Sequence, residues 1–283
     1  MTPKTEALIK LLDDTDSSIA STAMSELLSL DTSSDEIEKV LSELQEARSP
    51  ELRRKTHQMQ AILTIRHRRG SLSKRIFSKH SNLIQGLAEI HAIWYDDIDV
   101  SYLSDIWGEL IRRTGTRPPV TPKRLASFME NIGFTVGEGM QDPDFFCLGS
   151  VIEDLIGADA LLASIAREAA RMFGLKSAIA MFEGEFVLLF AVARDDNEKA
   201  NGRQLVGRIL SPSRNWELFD VPHKAEMKIL SSDQVLTYVL SSLLLNAVCA
   251  EDARYVQILT ACLAGRKASG DLSDILPYPF GKK

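Results

Sequence analysis

The chain has 283 residues, of which 45% are hydrophobic and 25% charged, as in an ordinary globular protein. Its net charge of −6 argues against nucleic acid as a partner, because a phosphate backbone is held by a basic surface. Three cysteines without a C-x-x-C spacing favour neither a disulfide framework nor a closed zinc site, and we expect no cofactor and no bound metal. No stretch reaches about 18 uninterrupted apolar residues, so we expect a cytoplasmic protein that does not bind a membrane.

Residues 1–75 are predicted to form four helices. Apolar residues at Leu8 to Leu12 precede a polar turn, Asp13 to Asp16, and a second periodic run extends from Ile19 to Leu30. A third helix follows, and the pair Ser49-Pro50 supplies a cap and a first-position proline for the fourth. The first helical pair resembles one unit of a HEAT-like repeat. A single copy cannot form a solenoid. We interpret this region as a helical scaffold.

The run "RHRRGSLSKR" at residues 66–75 contains five basic residues and no acid. One interpretation is an anion-binding or partner-binding patch. We favour a basic helix end, which the helix dipole stabilises, followed by a Gly-Ser hinge. The run therefore predicts a domain boundary near residue 75.

The region 76–225 is predicted to contain more helices and then a small sheet. Helical periodicity continues from Leu83 to Ile132, and a short helix then ends at Gly157. The next helix, from Ala160 to Phe173, is apolar on almost every side, which is typical of a buried helix.

Two strands are predicted after this helix, in "KSAIAMF" and "EFVLLFAVA". The pair Glu183-Gly184 joins them as a two-residue hairpin loop, and a third strand is expected near Arg203 to Leu210. A buried helix next to antiparallel strands predicts an α+β fold that is predominantly helical.

The last region, residues 226–283, is predicted to form a helical hairpin and a tail. Apolar residues recur from Val235 to Leu244, and a second helix spans Ala253 to Leu263. Cys249 and Cys262 fall on these apolar faces, so we interpret both as small core residues.

An ordered series of short phrases resembles the SirB-type transglutaminase-like family of bacterial proteins. The phrases are "IGF" at 132–134, "DPDFFCLGSVI" at 142–152, "GADALL" at 157–162, "ARMFGL" at 170–175 and "FEGEFV" at 182–187. The resemblance covers residues 83–215, nearly half of the chain. It implies a degenerate relative of the transglutaminase and papain-like fold.

The resemblance also implies where catalytic groups would stand. A transglutaminase-type site needs a cysteine at the start of the buried helix, a histidine on the neighbouring strand and a carboxylate that orients the histidine. In this chain those positions fall on Asp159, Glu185 and Ser211, so none of the three roles is filled. We therefore expect a non-catalytic protein that acts as a protein-interaction or regulatory module.

Two enzymatic alternatives and one structural alternative remain open. Cys147 could be a substitute nucleophile, with His91 as a conceivable base, although a cysteine between apolar neighbours is usually packed. Asp159 and Glu185 could converge as an acid pair in a hydrolase or acyl transferase, or Asp159 could cap its helix while Glu185 faces solvent. The last alternative is a helical-repeat adaptor without a ligand pocket.

Overall fold

The computed structural model describes residues 2–29, 35–45, 49–77, 82–96, 100–112, 118–138, 142–191, 207–222 and 226–264. The chain divides into two compact units, Met1–Ser71 and Leu72–Lys283. Each unit has its own buried apolar cluster and is described separately below.

The first unit is built from helices. These are α1 (Pro3–Leu12), α2 (Ser17–Leu28), α3 (Asp35–Gln45) and α4 (Pro50–Ile76). Side-chain oxygens of Thr2 and Asp16 accept backbone N–H bonds at the starts of α1 and α2, which satisfies donors that a helix leaves unpaired. The predicted Gly-Ser hinge is wrong, because α4 continues as a helix through residues 70–73 and the unit boundary falls within it.

Seven α-helices lie within the described residues of the second unit. They are α5 (Leu83–Trp94), α6 (Val100–Arg112), α7 (Pro122–Ile132), α8 (Leu148–Asp154), α9 (Asp159–Met172), α10 (Ser232–Cys249) and α11 (Ala253–Ala264), with a short 3-10 helix at Pro143–Phe146. Ten of the 14 residues of α9 are buried, as its sequence predicts. The remaining apolar side chain at its end, Met172, is exposed.

A five-stranded antiparallel sheet packs on α9. Its strands are β3 (Ala178–Phe182), β4 (Glu185–Ala191), β5 (Gly207–Ser211), β6 (Glu217–Asp220) and β7 (Met227–Ile229), in the spatial order β6-β5-β4-β3-β7. The short strands β1 (Thr135–Val136) and β2 (Ile156–Gly157) pair in parallel as a separate two-stranded sheet. Of the predicted third strand, residues 203–206 lie outside the described residues. The α+β, predominantly helical class is confirmed.

The β3–β4 hairpin determines which side chains face α9. Glu183 and Gly184 both have positive φ, at 51° and 84°, as a tight two-residue loop requires. Ile179 lies opposite Leu188, and both belong to the core cluster that contains α9. Phe182 lies on the other face, in a separate apolar cluster with residues such as Val187. The sheet therefore has one face toward α9 and one face away from it.

A buried ion pair links the end of α4 to α5. The side chain of Glu89 is 1% exposed and its Oε2 lies 3.1 Å from Nη2 of Arg75, which is 52% exposed. Burial raises the pKa of the Glu89 carboxyl, and the nearby positive charge of Arg75 opposes that rise. A charged carboxylate at this position depends on its arginine.

Replacing Arg75 by alanine is expected to destabilise the protein by about 2 kcal/mol at pH 8, because it leaves a buried charge without a partner. The loss should shrink toward pH 4.5. The pKa of Glu89 is raised in the folded state, so its protonated form contributes stability that is lost as the pH rises through that pKa. Urea denaturation at both pH values measures the effect.

Two further variants complete this experiment. Adding Glu89→Gln to Arg75→Ala should recover most of the stability, whereas Arg112→Ala, which breaks an exposed pair with Glu109, should change it by less than about 0.5 kcal/mol. An Arg75→Ala loss that does not depend on pH, or that Glu89→Gln fails to recover, would show that the two groups are not coupled.

Candidate functional site

Asp159 is the first residue of α9 and ties this helix to the sheet. Its Oδ1 accepts the N–H of Ala160 at 2.7 Å, and its Oδ2 accepts the N–H of Phe186 on β4 at 2.8 Å. The helix cap is Ala158, which has no capping side chain. Asp159 is therefore not the N-cap that one interpretation of the sequence suggests, and its carboxylate instead joins α9 to β4.

Glu185 stands on the opposite face of the sheet from α9. It pairs directly with Phe182 across the hairpin, and directly opposed residues share a face. The next residue, Phe186, points into the core beside α9. The carboxylates of Asp159 and Glu185 thus approach the hairpin from different sides, which is unfavourable for an acid pair that must act on one substrate atom.

Ser211 and Arg214 hold Glu185 from the β5–β6 turn. The hydroxyl of Ser211, which is buried on β5, donates to Oε2 of Glu185 at 3.3 Å and accepts the N–H of Arg214 at 3.2 Å. The Arg214 guanidinium lies 3.7 Å from Glu185, donates to Glu183 at 2.7 Å and packs 5.0 Å from the ring centroid of Phe219. The Arg214 cation thus lies beside the Glu185 carboxylate, and the hydrogen bond from Ser211 holds that carboxylate in place.

Tyr238 on α10 is a further member of this site that sequence reasoning missed. Its ring centroid lies 4.6 Å from that of Phe186. Burial raises the pKa of Tyr238 to about 12, and the nearby charge of Asp159 contributes to the rise. In the sequence, Tyr238 lies on the apolar stripe of α10, and such a position predicts core packing rather than a place in a functional site.

The ionisation of Asp159 reflects its surroundings. Burial raises its pKa to about 6, the N–H bonds from Phe186 and Ala160 oppose the rise, and the negative charge of Glu185 adds to it. Asp159 is thus ionised at neutral pH, with both oxygens committed to backbone N–H groups.

Cys147 lies at the N-cap of α8, in the same apolar core that buries α9. It is completely buried, and burial raises the pKa of its thiol well above the usual range, with a further contribution from Asp144 and Asp142. A thiol in this environment stays protonated and is a poor nucleophile. The structure therefore places this candidate in surroundings that oppose activation.

His91 contacts the backbone of α8. Its Nδ1 accepts the N–H of Gly149 at 3.4 Å, and its ring packs 4.9 Å from that of Tyr95, whose hydroxyl donates to Asp144. Neutral His91 then carries its proton on Nε2. A base for Cys147 would have to accept a proton from the thiol, and Nδ1 is occupied by the Gly149 N–H.

The other two cysteines have different environments. Cys262 is buried, as its sequence pattern predicts, and burial raises the pKa of its thiol. Cys249 is exposed, so its prediction as a core residue is wrong. It lies at the last position of α10, where the helix has left the apolar cluster that buries Leu243 and Ala247.

Comparison with known proteins gives no relative: no protein-family model, curated protein or solved structure matches the chain significantly. Among the described residues, no group of three or more His, Cys, Asp or Glu side chains is placed to hold a metal ion. No helix in the described ranges is both long enough and apolar enough to cross a membrane.

Gly149→Ala tests the position of His91. A Cβ at Gly149 would lie 2.7 Å from two atoms of the His91 ring and 2.9 Å from Cδ2 of Leu103, which is closer than real contacts allow. The substitution should destabilise the protein by about 1–3 kcal/mol through overpacking. Chemical denaturation provides the measurement.

Gly108→Ala is the matched control, since Gly108 is in the helix α6 of the same unit and a methyl group added there would meet no atom within 4 Å. It should stabilise the protein by about 0.5–1 kcal/mol, the usual gain of alanine over glycine in a helix. If both variants gain stability, the His91 ring does not pack against α8.

Proposed function

We propose that the protein is a non-catalytic, transglutaminase-like protein that acts as a protein-interaction or regulatory module. The observation that carries the proposal is the use of Asp159. It stands where the resemblance places the nucleophile, and its two oxygens accept backbone N–H bonds from Ala160 and Phe186. A carboxylate engaged in this way supports the structure and is not available to attack a substrate.

The surrounding groups support the same proposal. Acyl transfer through a thioester requires a thiolate beside a base. Cys147 has a thiol whose pKa is raised, and Glu185, at the position of the base, is bound by Ser211 and lies near Arg214. Neither arrangement favours proton transfer to or from a substrate.

The architecture of the second unit is compatible with the resemblance. A buried helix, α9, packs on antiparallel strands, and Asp159 and Glu185 lie at the same end of that helix–sheet pair. This is the arrangement that the transglutaminase-like resemblance implies, and it supports the proposed origin of the unit.

The proposed partner is a protein, and the proposed compartment is the cytoplasm. The net charge of −6 disfavours nucleic acid. The first unit, with its helical pairs, is the proposed scaffold. No cofactor is part of the proposal.

Complementation tests the proposed function directly. In cells of the source organism that lack the gene, the Cys147→Ala and Glu185→Gln variants should restore the wild-type phenotype. The Cys147 thiol and the Glu185 carboxylate would be essential only in an enzyme that uses them for catalysis. Folding of each variant is checked by circular dichroism. Loss of complementation by a folded Cys147→Ala or Glu185→Gln variant would contradict the proposal.

Thiol labelling provides a second test. In the native protein at pH 7.5, iodoacetamide should modify Cys249, which is exposed, and leave Cys147 and Cys262 unmodified because both are buried. All three should react in urea. Mass spectrometry of the digested protein identifies the modified residues.

The Cys249→Ser variant makes this measurement sharper, since it removes the exposed thiol. No labelling is expected in the folded variant. Rapid modification of Cys147 in this variant below pH 8 would reveal an activated thiol and would favour the cysteine-dependent hydrolase or transferase instead.

A further inference from the structure

The first unit contains a cleft of about 520 Å³ between the α1–α2 turn, the first half of α2 and the start of α4. This volume lies within the range of small-ligand sites and is sufficient for one long side chain with its neighbouring backbone. Ala20 and Met24 of α2 provide apolar surface, and the other side chains that line the cleft are polar or charged. The region of resemblance, residues 83–215, does not include this cleft.

The two cations that line the cleft are engaged within the protein. Nη2 of Arg54 lies 2.5 Å from Oε1 of Glu51, and Nζ of Lys55 lies 3.9 Å from the same oxygen. The side chain of Lys55 is 14% exposed, and its Nζ donates to the carbonyl of Leu12, the last residue of α1, at 2.8 Å. These contacts compensate the charge of Glu51 and hold α4 to the end of α1.

The two acids of the α1–α2 turn line the same cleft without a cation. Oδ1 of Asp13 accepts the hydroxyl of Ser49 at 3.2 Å, and Oδ1 of Asp14 accepts the N–H of Asp16 at 2.9 Å. Within the described part of the chain, the second oxygen of each carboxylate has no donor and neither carboxylate pairs with a cation. The cleft therefore presents two carboxylates that are held in place and not compensated.

This distribution of charge selects the class of occupant. An anion would lie beside both turn carboxylates while the two cations are already engaged, and such a like-charge contact is unfavourable. A purely apolar occupant would cover the carboxylates without giving them a partner, which costs free energy. A cation on an apolar stem avoids both costs, and lysine and arginine are the side chains built in this way.

We propose that the cleft binds a basic side chain, lysine or arginine, on an exposed segment of a partner protein. The charged head of this side chain donates to the second oxygens of Asp13 and Asp14, and its aliphatic stem packs on Ala20 and Met24. The choice of a protein segment as the occupant rests on the proposed function as a protein-interaction module. The cleft itself is an additional site, in the unit that the proposed function treats only as a scaffold.

Amide NMR spectra of the full chain, titrated with blocked tripeptides, test the proposal. The tripeptide Leu-Arg-Leu is the probe, because the arginine fork donates several hydrogen bonds to carboxylates. It should shift the amides of residues 13–24 and 51–58 in a saturable way. The matched tripeptide Leu-Gln-Leu should bind about fivefold more weakly because it lacks the charge, and Leu-Glu-Leu should not bind.

Substitutions in the full chain locate the binding. The double variant Asp13→Asn/Asp14→Asn keeps both acceptor oxygens and removes both charges, so the affinity for Leu-Arg-Leu should fall about tenfold. Glu6→Gln removes an exposed charge of α1 outside the cleft and should leave the affinity unchanged. Ser21→Lys places a cation in the cleft and should abolish binding, whereas Ser25→Lys, the same change at an exposed position of α2 that does not line the cleft, should not.

Three results would overturn the proposal. The first is the absence of saturable shifts with millimolar Leu-Arg-Leu, and the second is equal affinity for Leu-Arg-Leu and Leu-Gln-Leu. The third is unchanged binding by Ser21→Lys, whose folding is checked by thermal denaturation. The titration of the wild-type protein decides the question even if a variant does not fold. Complementation and thiol labelling concern Cys147 and Glu185 in the second unit, so failure of the cleft and failure of the proposed function are distinguishable.

Discussion

The burial of α9 is the constraint on which the second unit depends. A helix covered by neighbours along most of its length must also satisfy the N–H groups of its first turn without water. Ala158 has no capping side chain, and the Asp159 carboxylate accepts the N–H of Ala160 while reaching across to Phe186. The Asp159 carboxylate thereby accepts one N–H group from the first turn of the helix and one from the strand. Because it lies between the helix and the sheet, its charge is partly removed from water.

Sequence reasoning succeeds where a strong local pattern decides the structure. The helix α9 and the β3–β4 hairpin were both predicted, because an apolar helix bounded by glycines and a two-residue loop each have a distinctive signature. The strands β6 and β7 were missed because they have only four and three residues, too few for alternation to be recognised. The strand β7 forms by pairing with β3, which is remote in sequence, and β6 forms by pairing with β5 across the turn at residues 212–216.

The candidate site shows the same division between local and distant information. The two-residue loop already implies that Phe182 faces Glu185, so the side of the sheet on which Glu185 stands could have been deduced from the hairpin. The approach of Tyr238 could not, because it depends on how α10 packs against the hairpin. Cys249 was misplaced because the helical period was extended beyond the point where α10 leaves the core. The helical period shows which face of a helix is apolar, but it does not show at which residue that face leaves the core.

The ion pair between Arg75 and Glu89 has a consequence for how this protein can change over evolutionary time. If Arg75 is substituted first, the buried carboxylate of Glu89 is left without a partner. If Glu89 is substituted first, only the half-exposed guanidinium of Arg75 remains, and water can solvate it. The order of substitution is therefore asymmetric. Lineages that abandon the pair should pass through an uncharged residue at position 89 before position 75 is free to vary, so relatives with an acid at 89 but no cation at 75 should be rare.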